Sequence, residues 1–417
     1  VTDGARLAGS RPLVTRGPPL VARRPPTRSA GRSLRGMTSL PPLRFERKHA
    51  AFRRDVLAAL RTRSPARSWK PVVLLSLVLS SYALLYSGTL HGAWLVAAVA
   101  LSQPIYLITA LGIAHDASHG ALSTRSWVNR AGVFVFDLLG VNGYVWHYDH
   151  VVAHHAAPNV SRYDANLYVW GPLRLDPYAP LRPHHRHQHL YAPFLYALAS
   201  LYKVFVEDFT VFARQRSDAY LPAKHSGAQI ARLIIFKIMA VFVALVGPMI
   251  VSGQPVAVLA GYAMGHVVAG LLMGAIFQVT HTNELVTWAD PDRDGRLPTS
   301  FDEHVLRTAA DFAVDSALVT WICGGLNIHA VHHLFPRVPQ GQLRRAARAV
   351  DAAAQAHGLE YLRFPTWRAA LVSHFRALRR LGAGESVPEC GTGRPGTAES
   401  GAFRIPVHSV PVSASDS

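Results

Sequence analysis

The chain has 417 residues, of which 50% are hydrophobic and only 16% charged, and its formal net charge is +18. Soluble domains carry roughly 25% charged residues, so this composition, with a mean hydropathy of +0.15, excludes an ordinary water-soluble enzyme and points to a polytopic membrane protein. The excess of 43 Lys and Arg over 25 Asp and Glu fits cytoplasmic loops and anionic lipid, and no recognition module accompanies the arginines to argue for nucleic acid.

In chain order, residues 1–43 come first, with eight arginines, one aspartate and seven prolines. They contain no apolar run fit for the core of a secretory signal and read as a disordered basic tail. Met37 sits just before the first plausible structure, so translation is expected to start there; a basic arm touching lipid headgroups is the alternative. Residues 44–381 are expected to form one domain. Residues 382–417, rich in Gly, Ser, Pro and Thr, read as a second disordered tail. Cys323 and Cys390 make no CxxC pair and imply a reducing compartment.

A transmembrane helix needs about 20 mostly apolar residues. Four segments qualify: Val72–Leu90, Ala93–Ala114, Leu233–Val251 and Val256–Thr280. They form two hairpins, broken at 87–92 and 252–255. Neither break contains Lys or Arg, whereas the flanks carry Arg67, Lys70, Arg232 and Lys237. Breaks without basic residues face away from the cytoplasm, which puts both termini inside. In the fourth span Gly261 and Gly265, then Gly270 and Gly274, make two GxxxG pairs that let a neighbour approach closely. His266, mid-span, is expected to make an interhelical hydrogen bond. Two further apolar runs, Ala131–Val141 and Leu190–Val206, cannot cross alone if all the histidines described next share one site. They should lie in the interface or dip in and return.

Nine histidines cluster at the ends of these segments: His115 and His119; His150, His154 and His155; the single His281; and His329, His332 and His333. Neutral imidazole is the commonest neutral metal ligand. On an α-helix, residues four apart share a face, so His115 pairs with His119 and His150 with His154. His155 then points about 100° away, which lets one cluster serve two metals. Nine neutral ligands are too many for one ion and suit two. Zinc hydrolases usually mix in carboxylates, so an all-imidazole set better suits an iron pair that changes oxidation state. No catalytic group is assigned beyond this centre.

These segments resemble the membrane fatty acid desaturase family. The run Ala114 to Gly120 is similar to its first histidine box, Trp146 to His155 with Asn159 to its second, and Gly324 to Pro336 to its third. Arg182 to Pro193 and Phe277 to His281 resemble a branch containing bacterial linoleoyl-CoA and front-end acyl-lipid desaturases. The resemblance runs from about Leu43 to Gly382. Much of the front-end branch has Gln where this chain has His329. Phe277 stands where stearoyl-type enzymes place an Asn, and the chain carries no His-Pro-Gly-Gly haem motif.

The resemblance implies an all-α fold: four transmembrane helices in two hairpins, interfacial helices and a cytoplasmic helical cap carrying a di-iron site. It implies O2 as co-substrate and electrons from an external ferredoxin or b5-type cytochrome with its reductase. The substrate would be a fatty acyl chain in a membrane, expected to be a bacterial plasma membrane, with the metal site cytoplasmic. Asp116, Asn159, His185, His189, Gln278, His304 and Asn327 are candidates for orienting the ligands or meeting the substrate. A hydroxylase or ketolase acting on carotenoids, sterols or sphingoid chains is the nearest rival. A metal transporter is remote, because the histidines gather on one face and line no path across. Gly391 to Gly396 and Asp290 to Gly295 match nucleotide and calcium patterns by chance.

Overall fold

The computed structural model describes residues 41–61, 69–168, 171–213 and 225–385. Most of both expected tails, Met37, Arg67, Cys390 and the run 391–396 lie outside the described residues.

The described chain is mostly helical. Among the described residues, three helices are long and apolar enough to cross a membrane: Gly92–Ser118, Gly227–Ser252 and Pro255–His281. The expected first span is an apolar helix of 17 residues, Lys70–Tyr86. The turns joining the helices of each pair meet one another. Gln254 accepts the Gly92 amide at 2.8 Å and its own amide group contacts His91 at 2.7 Å. Gly253 adopts φ +64°, which ends one helix, and Pro255 opens the next with its φ already set.

The two GxxxG pairs face different partners. A Cβ at Gly261 or Gly265 would fall 2.6 Å from the carbonyl oxygens of Val96 and Ala100, so this seam is closed by backbone of the 92–118 helix. A Cβ at Gly270 or Gly274 would strike Tyr196 instead. Tyr196 belongs to the apolar run expected to be interfacial, which is helical from Gln188 to Ala197 and, past a turn at Leu198, from Ala199 to Ala213. That run descends alongside the 255–273 helix. Ser200 Oγ lies 2.8 Å from His266 Nδ1 and 2.9 Å from its carbonyl oxygen, the interhelical bond expected of His266. The other short apolar run forms the helix Ser126–Leu138, packed on Ala117 through Gly132.

Beyond His281 a further helical layer gathers Phe301–Thr308, His329–Leu334 and Gln340–Ala356 around Leu306, Ile328, Val331, Leu343 and Val350. Phe52 and Val56 of the Ala50–Arg61 helix close this core from the other end of the chain. Asp311–Phe312 and Arg363–Phe364 pair in parallel, a small β element that the all-α expectation lacked. A buried clasp joins this layer to the membrane-type helices. Lys70 Nζ donates to Gln340 Oε1 at 2.6 Å, and Gln340 Nε2 donates to the Gly112 carbonyl at 2.5 Å.

Candidate metal centre

Three of the four ligand-bearing segments place their imidazoles through a local departure from the α-helix. The 92–118 helix widens to a π-turn at Ala110–His115, and the second cluster sits on a π-helix, His147–His154. The last span widens at Gly274–Gln278, just before His281. Such bulges recur at functional sites because they turn side chains that a regular helix would misdirect. The third cluster lies on the short α-helix His329–Leu334. Its approach loop uses Gly324 at φ +64° and Gly325 at φ +84°. A Cβ at Gly324 would lie 2.9 Å from the Leu111 carbonyl oxygen, so the loop rides directly on the first π-turn.

Eight of the nine imidazoles form two groups, each with one nitrogen per residue, all within 4.8 Å of one another. The first is His115, His119, His150 and His332; the second is His154, His281, His329 and His333. His155 Nε2 lies 3.3 Å from His150 Nε2 and 3.1 Å from His332 Nε2, which attaches it to the first group. The α-helical expectation therefore needs correcting. His150 shares a group with His155, five residues on, while His154 turns to the other. The His155 amide donates to the His150 carbonyl, which is the i to i+5 register of a π-helix. That wider turn brings i and i+5 onto one face. On the regular helix, His329 and His333 share a group at i and i+4, and His332 crosses to the other.

The geometry fits metal better than hydrogen bonding. His115 and His150 approach through Nε2 atoms 3.2 Å apart, and so do His329 and His333. Two nitrogens about 2.1 Å from one ion lie about 3.0–3.4 Å apart. Among the described residues, His119 Nε2 and His281 Nε2 are buried with no hydrogen-bond partner. Unpaired buried nitrogens are costly unless another ligand meets them. Burial, and then the neighbouring imidazoles, push His150, His155, His329, His332 and His333 well below the ordinary imidazole value. They are neutral at pH 7, the form that binds a metal.

Several ligands are held from behind. His154 Nδ1 donates to Asp164 Oδ1 at 3.0 Å, which leaves Nε2 as its free ligand atom. Burial alone would raise the Asp164 carboxyl, but His154 and the Asn159 amide outweigh it and hold it below the usual carboxylate range. Asn159, at φ +55°, donates through Nδ2 to the His281 carbonyl at 2.8 Å. His281 Nδ1 lies 3.1 Å from the Thr308 carbonyl oxygen. Asp311 Oδ1 accepts the Ala330 amide at 2.7 Å and so caps the third ligand helix from across the chain. Burial pushes its carboxyl up to about 7.

Of the residues expected around the ligands, Asn159 touches a ligand backbone. Asp116 is 4.0 Å from His115 Nδ1 and spends its other oxygen on the Gln340 amide at 3.1 Å. His304 meets the Pro158 carbonyl at 2.8 Å, and Asn327 ties its loop to Phe312 O at 2.9 Å. Gln278 lines a cavity beside the ligands. His185 stands apart: its Nδ1 accepts the Arg182 amide, and its carbonyl backs onto Gly382. His189 is partly exposed, with Nδ1 unpartnered among the described residues. Sequence reasoning missed Asp164 and Asp311. The polar run Asn159 to Asp164, in a stretch that folds into the interior, was the available signal for Asp164. Nothing local announced Asp311.

The cavity beside the ligands, about 110 Å³, is lined by His150, His154, His281, Trp146, Lys203 and Phe277, among others. A second, more apolar cavity of about 80 Å³ shares Trp146, Lys203, Met273 and Phe277 with it and runs down between the helices.

Comparison with known proteins identifies a family. The family model described as Fatty acid desaturase matches residues 92–365, a span that takes in all nine histidines. The chain is 29% identical over 277 residues to the sn-1 linoleoyl-lipid 6-desaturase of Arthrospira platensis, covering 66% of this chain and 75% of the relative. It is 24% identical over 321 residues to the enzyme of that name from Synechocystis, covering 76% and 89%. It is 31% identical over 328 residues to the acyl-lipid (7-3)-desaturase of Rebecca salina, covering 76% and 70%. With two groups of buried imidazoles, three of them on a cavity wall, and a family model matched over residues 92–365, the chain belongs to the fatty acid desaturase family.

Proposed function

We propose that this protein is a membrane di-iron desaturase that introduces a double bond into a lipid-linked or CoA-linked acyl chain. The supporting observation is the juxtaposition of nine imidazoles with a cavity that continues, apolar, between the helices. His115, His119, His150, His155 and His332 would hold one ion; His154, His281, His329 and His333 the other. When bound, the iron pair supplies the oxygen-dependent redox chemistry that removes hydrogen from unactivated methylenes, which no side-chain acid or base can do. The net reaction converts two adjacent methylenes and O2, with two electrons and two protons, into an alkene and two waters.

The rest is the work of this chain. Asp164 fixes the tautomer of His154, and Asn159 and the Thr308 carbonyl fix His281. Trp146, Met273 and Phe277 give the acyl chain apolar walls beside the ligands and exclude water from the reacting carbons. The names of the relatives support an acyl chain carried on a lipid. Electrons would come from a separate ferredoxin or b5-type cytochrome. Lys70–Tyr86 would act as a fourth, short span, and Lys-free and Arg-free turns at 87–91 and 252–254 would face away from the cytoplasm. The metal centre and the helical layer over it would then be cytoplasmic.

Expression in a host that supplies a reductase, with gas chromatography of its fatty acids, tests this reading. The chain should yield a new unsaturated species. His154→Ala and His332→Ala should insert normally and yield none, each from a different ion's ligand set. A hydroxylated product would favour the rival, and full turnover by either variant would remove the site assignment.

A further inference from the structure

The second cavity has a polar floor. On the 92–118 helix its lining residues run from Leu111 down to Gln103, and on the 255–281 helix from Phe277 down to His266. Both helices carry a metal-site histidine at their far end, His115 and His281. Gln103 and His266 are therefore the lining residues of these two helices most remote from the metal centre. They also lie side by side, since a Cβ at Gly265 would fall 2.6 Å from Gln103 Cγ. Just beyond them the helices touch backbone to backbone along Gly261 and Gly265. The cavity thus ends where the glycine seam begins.

The floor is polar, whereas the walls are mostly apolar, Ser200 and Lys203 apart. His266 is 4% exposed, and its Nε2 is buried without a partner among the described residues. Ser200 engages the opposite nitrogen and fixes the ring. Gln103 is 6% exposed, and its Nε2 donates to Ser102 Oγ at 3.2 Å. An apolar methyl can rest on such a floor. Pressing more methylenes into it would crowd two buried polar side chains and force apart a seam that has no slack.

We infer that Gln103 and His266 form the stop for the methyl end of the acyl chain, and so limit how many carbons lie beyond the new double bond. The inference rests on the desaturase reading and adds the register of the substrate. Twelve helix residues separate Gln103 from His115 and fifteen separate His266 from His281, which is about 18–22 Å of rise. An extended hydrocarbon advances a little less per carbon than a helix does per residue. The channel therefore takes somewhat more than about 12–15 carbons beyond the reacting pair. For chains of ordinary membrane-lipid length, the double bond enters nearer the carboxyl end than the methyl end.

Two measurements test this. The first needs no turnover: the full-length protein in bilayers is photolabelled with a phosphatidylcholine whose acyl chain carries a diazirine at its terminal carbon. Adducts should map to Gln103, His266 or Ala269; adducts confined to the cavity beside Tyr202 and Leu175 would overturn the stop. The second follows products from a homologous series of acyl chains. Ala269→Phe, one helical turn nearer the site, should shift the preferred length down by a few carbons, and Gln103→Ala should shift it up. Equal loss on every length in both variants, or an unchanged preference, would overturn the assignment. Labelling at the floor in a protein that forms no double bond would instead refute the desaturase reading and leave the chain-end pocket standing.

Discussion

Among single residues, Asp164 has the clearest consequence. It touches the metal centre only through His154, and the surrounding shell of a metal site typically carries 10–100-fold in affinity or activity. Asp164→Asn keeps the size and loses the charge that fixes the tautomer. It should weaken metal retention by about 10–100-fold while membrane insertion is unchanged; metal content after graded chelation would read this, and wild-type retention would count against the role. The ligands themselves set an acid limit on the metal-free protein. Unfolded imidazole titrates near about 6.5, whereas burial holds five of the ligands well below that in the fold. Between those values the unfolded chain binds more protons. Stability present above about pH 6.5 is therefore lost as pH falls. The thermal midpoint of the metal-free protein in one detergent should drop from about pH 7 to about pH 5; a flat profile would contradict it. The nine histidines were legible because each cluster breaks an apolar run. Asp164 and Asp311 were not, since a carboxylate ten or twenty residues from its partner leaves no periodic trace.

At the level of the elements, the sequence showed where helices lie but not how they are wound. Periodicity arguments assume 3.6 residues per turn. The π-helix His147–His154 changes the partners within the second cluster, and only the structure reveals it. The extra residue per turn has a testable counterpart. Inserting one alanine between His150 and Val151 would set His150 and His155 six apart, off a shared face in either an α- or a π-turn, and should abolish binding of one of two metal equivalents. Metal stoichiometry of the purified variant would show it, and two retained equivalents would mean that this spacing is dispensable. The glycine pairs were legible as close-packing devices. That one faces the 92–118 helix and the other Tyr196 was not, because a GxxxG pattern names a face and not its partner.

For the molecule as a whole, hydropathy outlined the membrane-type helices and the absence of basic residues in their turns suggested a direction. The first helix proved shorter than its sequence estimate, and the small parallel β pair was invisible because two residues carry no pattern. Orientation can be read by labelling. In a background lacking both cysteines, Thr89→Cys should react with a membrane-impermeant thiol reagent in intact cells, and Arg186→Cys should react only after permeabilisation. Both positions are exposed in the fold. Reaction of Arg186→Cys from outside would place the second and third clusters on opposite faces and break the single centre.

The two imidazole groups also bear on how the protein is made. The first ligand, His115, and the last, His333, lie about half the chain apart, and each group draws on widely separated segments. Contacts of such long range form late, after their loop-closure cost has been met. Neither group is complete until His333 and its neighbours have left the ribosome and settled onto the first π-turn. On the di-iron reading, metal loading would be a checkpoint on biogenesis: a nascent chain that has inserted its helices but not seated its last ligand helix holds a half-built set of neutral imidazoles. Iron starvation should accordingly leave inserted but protease-sensitive chains, nicked between His281 and His329.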